Sequence, residues 1–125
     1  IKYKKCEIEY QILNLTDIEW KNINKQEINL FLLSVYRIIQ EAINNALKHS
    51  GADKIILIVG TKNDKCYINI NDNGKGFNFE NKSEQEDKHF GLSIMKERIN
   101  LLHGVISINT DIEKGTEINI EIPLI

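Results

Sequence analysis

The sequence predicts an α+β fold: a two-layer sandwich in which helices cover one face of a mixed, mostly antiparallel sheet. The elements run strand, helix, two strands, loop, helix, two strands. Short connections within residues 53–72 and 105–122 indicate two antiparallel hairpins. Polar and apolar residues alternate in 66–71 and 117–122, which leaves the other sheet face lightly covered. At 125 residues with 42% hydrophobic residues, we expect 1–125 to form one domain with a real core.

The first predicted element is a half-buried strand over residues 4–12. Apolar and polar residues alternate there, so four side chains share one face: Cys6, Ile8, Tyr10 and Ile12. Residues 13–26 are interpreted as an irregular connector, in which we expect Trp20 to pack as a cover.

A long helix is predicted over residues 27–49. Seven apolar residues recur there at helical spacing: Ile28, Phe31, Val35, Ile38, Ile39, Ala42 and Ala46. Asn24 lies three residues before Glu27, which is the spacing of an N-terminal capping pair. Gly51 suits the C-terminal cap. Both ends of the helix are therefore marked by residues typical of caps.

Two strands and a loop are predicted next. Residues 53–61 form a nearly continuous run of β-branched residues, which is typical of a buried central strand, and a short turn leads into a strand over 66–72. Residues 77–89 are rich in polar residues and show no periodicity, so we expect a mobile loop.

A second helix and a hairpin complete the chain. Residues 91–103 place four apolar side chains on one stripe, namely Leu92, Met95, Ile99 and Leu102, and His103 with Gly104 ends that helix. Strands are then predicted around 105–108 and 118–122, joined by a turn at 113–116. Pro123 terminates the last strand.

Composition argues against several classes of protein. The net charge is −2 and the basic residues are dispersed, so we expect no nucleic-acid partner. No apolar run approaches the length of a membrane span, and no signal peptide is visible. Cys6 and Cys66 lack metal-ligand or redox spacing, so both are predicted to be reduced packing residues.

A candidate binding loop follows the strand that ends at Asp72. Glycines at 74 and 76 lack a Cβ and would let a flat ligand lie against the backbone. The Asp72 carboxylate could accept a hydrogen bond from an exocyclic amine, which adenine offers and guanine does not. The alternative is structural, because Asn73-Gly74 is also a strong hairpin signal.

The first predicted helix carries a polar face. Glu41, Asn45 and Lys48 stand at i, i+4 and i+7. The amide oxygen of Asn45 is a suitable hard ligand for Mg²⁺, Glu41 could accept a proton, and Lys48 could neutralise phosphate charge. By spacing alone, these three residues could equally form a solvated polar stripe.

Two further positions are candidates for nucleotide contacts. Gly91 is predicted to open the second helix, where free backbone N–H groups form an anion site; otherwise it is a loop exit. Thr116 follows Gly115 and could hold a water molecule beside Asp72, or be an ordinary hairpin threonine.

Together these segments resemble the nucleotide-binding boxes of the GHKL superfamily, which includes gyrase-type ATPases, heat-shock chaperones, histidine kinases and MutL-like repair ATPases. Residues 41–49 resemble its asparagine box and 72–76 its first glycine box. Gly91-Leu92 resembles the second glycine box, and Gly115-Thr116 the last. Residues 36–42 and 91–98 look most like the ATP-binding domain of NarL/DesK-type sensor histidine kinases.

The resemblance implies a Bergerat-type ATP-binding fold and a role for each box. Asp72 would contact the adenine amine, Asn45 would hold Mg²⁺, and the glycine boxes with Leu92 would line the nucleotide. Residues 77–89 would be the ATP lid, with Lys82 or Lys88 contacting phosphate. The second box is shortened, however, because His89-Phe90 precedes Gly91 where the family has a Gly-x-Gly-Leu pattern.

The implied function is that of the catalytic ATP-binding domain of a two-component sensor kinase. It would bind Mg-ATP and transfer the γ-phosphoryl group to a histidine on a separate dimerisation domain, with Glu41 assisting as base. This sequence lacks the phosphoacceptor motif His-Asp-x-x-x-Gln, so the chain alone would be inactive. A response regulator, a homodimeric parent protein and a cytoplasmic location are also expected. The alternatives are an anti-sigma-type serine kinase, a GHKL ATPase, or a non-catalytic nucleotide-responsive interaction module.

Overall fold

A computed structural model describes residues 6–13, 24–76 and 82–124, without the side chains of 13, 49–50 and 82–91. Within these ranges neither helix is long and apolar enough to cross a membrane. The elements are β1 Glu7–Leu13, α1 Lys25–Asn45 followed by a π-helical turn Ala46–Ser50, β2 Lys54–Lys62, β3 Lys65–Asp72, α2 Lys82–Leu101, β4 Val105–Thr110 and β5 Thr116–Pro123.

The five strands form one sheet in the order β1-β2-β3-β5-β4. β1 and β2 are parallel, whereas the pairs β2–β3, β3–β5 and β4–β5 are antiparallel. Both predicted hairpins are therefore confirmed, as is the mixed, mostly antiparallel sheet. In the β2–β3 hairpin the turn residues Asn63 and Asp64 have φ of 54° and 60°. Asparagine and aspartate tolerate this left-handed region better than most residues.

The hydrophobic core lies between the two helices and one face of the sheet. Its largest fully buried side chains come from α1, α2 and five inward positions of β2, β3 and β5: Ile38, Ile55, Ile68, Ile70, Met95, Ile99, Ile120 and Ile122. The alternation of β3 and β5 sends the intervening residues to the other face. There the Asn69 amide donates to Asn119 Oδ1 at 2.6 Å, and Asn119 donates to Glu117 at 3.2 Å. These amides lower the pKa of Glu117, with Asn119 contributing most.

The ends of α1 follow the capping residues predicted for them. Asn24 Oδ1 accepts the Glu27 backbone N–H at 2.8 Å. At the other end Gly51 adopts φ 64°, in the left-handed region that favours glycine. The π-helical turn before Gly51 was not predicted, because its i→i+5 bonding leaves no signature in the apolar spacing.

Helix α2 begins nine residues earlier than predicted, at Lys82 instead of residue 91. The loop expected over 77–89 is therefore wrong from residue 82 onwards, and residues 77–81 lie outside the described ranges. Lysine, glutamate and glutamine favour helix without any apolar period. The core residues of α2 whose side chains the structure describes start at Leu92.

Strand β1 is present as predicted, but its apolar face is not buried. Ile8, Tyr10 and Ile12 are 43%, 73% and 58% exposed. β1 is an edge strand beside β2, and the described parts of the helices leave it uncovered. The expected connector, including Trp20, falls almost entirely in residues 14–23, which lie outside the described ranges.

The two cysteines are both free thiols, in keeping with the prediction. Cys66 points into the core from β3, and burial raises the pKa of its thiol. A neutral, buried thiol acts as a small hydrophobic side chain.

Candidate nucleotide-binding site

A buried carboxylate stands where β3 ends. Asp72 is 7% exposed, and it is the one charged residue in the core of the described chain. Its Oδ1 accepts the Gly74 backbone N–H at 2.8 Å, which closes a tight turn at the start of the loop. Burying an ionised carboxylate is costly unless polar groups face it, so a buried aspartate at a strand end marks a functional-site candidate.

The hairpin alternative for Asn73-Gly74 is wrong. A hairpin there would pair β3 with the strand that follows it directly in sequence, whereas β3 pairs with β2 and β5. The chain instead leaves the sheet after Asp72, and Gly74 and Gly76 are both buried. Residues 72–76 therefore form a loop, called the nucleotide loop below.

The nucleotide loop packs backbone against backbone on the β4–β5 turn, residues 111–115. A Cβ on Gly76 would lie 1.9 Å from the Asp111 carbonyl oxygen, and one on Gly115 would lie 2.1 Å from the Asp72 carbonyl oxygen. The Glu113 N–H also donates to the Lys75 carbonyl. The sequence predicts that a ligand lies in the space left by the missing Cβ of Gly76. In the structure the β4–β5 turn occupies that space.

Thr116 lies directly opposite Asp72 in the β3–β5 register. Its hydroxyl oxygen is 2.9 Å from that of Thr110, and the Thr110 hydroxyl donates to the Gly115 carbonyl at 3.2 Å. A hydroxyl carries one proton, so Thr116 donates to Thr110 and keeps its own lone pairs for a further donor.

The polar face of the first helix is only partly as the spacing predicts. Glu41 and Asn45 are one α-helical turn apart in α1 and are both half-buried. Lys48 lies in the π-helical turn and is exposed. Because a π-helix takes more residues per turn, Lys48 is rotated from the position expected at i+7.

Asn45 carries an unsatisfied polar atom. Its Nδ2 is buried and has no hydrogen-bond partner among the described residues. Such orphaned groups are rare in native structures and call for an explanation. A half-turn of the amide would place Oδ1 at the same point, so the side chain can present either an acceptor or a donor there.

The second glycine box does not open a helix. Gly91 is the tenth residue of α2, so its N–H lies in the helix interior and the predicted anion site at a helix N-terminus is wrong. Leu92 is 7% exposed and packs in the core; its contact with a nucleotide stays a prediction. The side chains of Lys82 and Lys88 lie outside those described.

Sequence reasoning missed the role of the β4–β5 turn. Residues 111–115 were interpreted as a connection, yet they support the nucleotide loop through Asp111, Glu113 and Gly115. Gly115 was the one available signal. A contact between two turns 40 residues apart leaves no periodic pattern in a sequence.

Comparison with known proteins assigns this arrangement to a family. The model of the histidine kinase-, DNA gyrase B- and HSP90-like ATPases matches residues 32–125, three quarters of the chain. The chain belongs to this family. That assignment confirms the resemblance seen in the sequence and accounts for the order of the boxes along it.

Its curated relatives include sensor histidine kinases. The signal transduction histidine-protein kinase/phosphatase DegS of Bacillus subtilis is 44% identical over 94 residues, which cover 75% of this chain and 24% of DegS. The sensor histidine kinase LiaS of the same organism is 36% identical over 109 residues, 86% of this chain and 29% of LiaS. The chain thus spans about a quarter of these relatives, and the predicted resemblance to the ATP-binding domain of NarL/DesK-type sensor kinases is confirmed.

Solved structures share the fold. A blue-light activated histidine kinase of Erythrobacter litoralis matches 96% of this chain and 36% of its own, with a TM-score of 0.69 at 18% identity. The ATP-binding domain of PrrB from Mycobacterium tuberculosis matches 73% of this chain and 67% of its own, with a TM-score of 0.59 at 24% identity. The predicted Bergerat-type sandwich is therefore confirmed.

The packing of the loop on the turn can be tested with two glycines. Gly51 and Gly115 have φ of 64° and 79°, but a Cβ meets nothing within 4 Å at Gly51 and the Asp72 carbonyl at Gly115. Gly51→Ala should lower the free energy of unfolding by about 1–2 kcal/mol, the cost of a left-handed alanine. Gly115→Ala should lose about 1–3 kcal/mol more, because backbone must move. Urea titration measures both, and equal losses would contradict the close packing.

Proposed function

We propose that the chain, as a single domain over 1–125, is the catalytic ATP-binding domain of a two-component sensor histidine kinase. It binds Mg-ATP and donates the γ-phosphoryl group to a histidine on a separate dimerisation domain. The buried Asp72 carboxylate on a fixed loop carries this proposal, because it supplies a directional acceptor for adenine. Membership of the ATPase family supports it.

Asp72 selects the base. Its Oδ1 already accepts the Gly74 N–H, which fixes the plane of the carboxylate. The other carboxylate oxygen then accepts a hydrogen bond from the adenine amino group. A water molecule that donates to the Thr116 hydroxyl oxygen would lie beside this contact. A guanine carbonyl at the same place would face the carboxylate oxygen, acceptor against acceptor, which costs more than a lost hydrogen bond. Gly74 leaves the loop backbone close to the base, and Gly76 acts indirectly by letting the loop pack on the β4–β5 turn.

Asn45 holds the metal. Its buried, unsatisfied amide fits a group that arrives with the nucleotide, and an amide oxygen is a ligand that Mg²⁺ accepts alongside phosphate oxygens. The ion would neutralise charge on the phosphates during transfer. Among the described residues, no three His, Cys, Asp or Glu side chains converge on a metal site. Phosphate oxygens of the nucleotide would supply the other ligands of the ion.

Glu41 acts as the base. It lies one helical turn before Asn45, so it faces the same side of α1 and stays half-buried. It accepts the proton of the attacking imidazole as the phosphorus–oxygen bond to ADP breaks. Lys48, exposed in the π-helical turn, neutralises phosphate charge, and the lid segment with Lys82 or Lys88 contributes further cations. Positioning and charge supply most of the catalysis, as in other phosphoryl transfers.

The partners follow from the reaction. The phosphoacceptor histidine sits on a dimerisation domain of the same, homodimeric protein, and a response regulator receives the phosphoryl group. We place this domain in the cytoplasm, where ATP is available, including the case in which the whole sensor is membrane-bound. The whole proteins that resemble it are named as sensor kinases, which supports these assignments.

Asp72→Asn should weaken the binding of ATP and of adenosine alike. The asparagine keeps its oxygen toward the Gly74 N–H, so its NH₂ faces the adenine amine, donor against donor. That mismatch costs about 1–3 kcal/mol, or roughly fivefold to more than a hundredfold in Kd. Calorimetry measures the loss, and Asp64→Asn in the exposed β2–β3 turn is the control for the same charge change. ATP binding within about twofold of the parent would show that Asp72 is not the adenine contact.

Asn45→Ala should weaken Mg-ATP while leaving metal-free adenosine almost unchanged, because only the phosphates meet the ion. Titrating both ligands into the variant separates the two effects. Asn44→Ala removes the same side chain at the neighbouring, exposed position of α1 and should alter neither affinity. Equal losses for both ligands would identify Asn45 as a packing residue.

The chain alone should bind ATP without phosphorylating itself, since holding the reactants together supplies roughly 7–11 kcal/mol of such a reaction. Adding a histidine-containing dimerisation domain should produce acid-labile phosphohistidine from radiolabelled ATP. Glu41→Gln should lower the rate by about 10²–10⁴ without changing ATP affinity, and Glu121→Gln on the opposite sheet face should not.

Other outcomes of that assay would favour the other enzyme classes. Acid-stable phosphoserine on an added partner would identify a serine kinase. Rapid phosphate release by the chain alone would identify an ATPase. Nucleotide binding without any transfer or hydrolysis would leave an interaction module.

A further inference from the structure

We infer that Asn73 is a positioning residue for adenine recognition: its side chain clamps the nucleotide loop to the start of β2 and so holds the Asp72 carboxylate in place. This inference rests on the adenine contact proposed for Asp72. Asn73 itself would not touch the nucleotide.

The clamp consists of three hydrogen bonds. Asn73 Oδ1 accepts the backbone N–H of Asp53 at 2.9 Å and that of Lys54 at 3.0 Å. The Asn73 backbone N–H donates to the Lys54 carbonyl at 3.2 Å. One amide oxygen thus satisfies two consecutive donors, which fixes the side chain although Asn73 is exposed.

The position of the clamp gives it influence over Asp72. The pair Ile55–Asp72 is the last one of the β2–β3 ladder. Asn73 extends the hydrogen bonding between the two strands by one residue, after which the chain leaves the sheet. The start of β2 is a firm anchor, because the Asp53 carbonyl also accepts the Glu7 N–H of the neighbouring strand at 2.8 Å. Asp72 is therefore followed by a residue that is hydrogen-bonded to β2, and it does not lie at a frayed end of the strand.

The clamp complements the contact on the other side of the loop. Gly115 presses against the Asp72 carbonyl from the β4–β5 turn. That contact limits the movement of Asp72 toward β5, and the Asn73 clamp limits its movement away from β2. With both in place the direction of the carboxylate is set by the backbone, before any ligand binds.

The chemistry of residue 73 suits this task. An uncharged amide oxygen accepts from two N–H groups without adding a negative charge beside Asp72 and Asp53. Hydrogen bonds weaken steeply when distance or angle departs from the optimum. Releasing the clamp should therefore weaken the bond to the adenine amine more than it weakens contacts to ribose or phosphate.

The test is the ratio of affinities for ATP and ITP, which carry an amine or a carbonyl at that position of the base and differ otherwise only in the proton on the adjacent ring nitrogen. Calorimetry with the 125-residue chain should show Asn73→Ala losing about tenfold in ATP affinity with little change for ITP, so the preference shrinks. Asn73→Asp restores the acceptor oxygen and should keep the parent's ratio. Any effect of its charge on the phosphates cancels between the two nucleotides.

A matched control and a second readout complete the design. Asn71→Ala removes the same side chain two residues earlier, at an exposed position of β3, and should keep the ratio. In Asn73→Ala the amide hydrogens of Asp53 and Lys54 should exchange faster, which reports release of the clamp directly.

The outcomes separate the two levels of the proposal. If the parent prefers ATP and Asn73→Ala keeps that preference while those amides exchange faster, Asn73 is merely structural and the inference is wrong. Equal weakening of ATP and ITP would lead to the same conclusion. If the parent binds ATP and ITP equally well, the adenine contact of Asp72 is wrong, and the inference about Asn73 is wrong with it.

Discussion

The site depends on one steric constraint: two stretches of backbone lie closer together than side chains would allow. Gly76 faces the Asp111 carbonyl and Gly115 faces the Asp72 carbonyl, each within a distance that a Cβ would occupy. The nucleotide loop is therefore tied to the β4–β5 turn, which comes from a different hairpin. Because β5 lies beside β3 in the sheet, the sheet order brings the two turns to the same edge. The order β1-β2-β3-β5-β4 thus matters for function as well as for stability.

The central strand β3 makes this edge a firm base for recognition. It is bonded on both sides, to β2 and to β5, along its full length. Asp72 is its last residue, and its carboxylate is buried, which lowers stability unless polar groups surround it. The Gly74 N–H supplies one such group. The buried carboxylate therefore lowers the stability of the fold locally but provides a directional hydrogen-bond acceptor, as functional sites commonly do.

The helix side of the site is built differently. Glu41 and Asn45 project from a regular α-helix beside the buried Ile38 and Ala42, which anchor it in the core, so their spacing is set by helical geometry. The π-helical turn after Asn45 then changes the rotation before Gly51 ends the segment. In the proposed site, a rigid carboxylate would bind the base, and the side chains of the helix would contact metal and phosphate.

The sequence by itself determined most of the fold and pointed to the candidate site residues. Local signals were sufficient for the α1 cap at Asn24, both hairpins and the alternation of β3 and β5, because hydrogen bonds and side-chain periods act over a few residues. Local pattern failed at Gly91, where helix propensity extended α2 beyond its apolar stripe, and at β1, where exposure depends on strand order. Only the tertiary structure decided what Gly76 and Gly115 make room for, since their partners are carbonyls some 35 to 45 residues away along the chain. A missing Cβ is visible in a sequence, but the atom that takes its place is known only when the chain has folded.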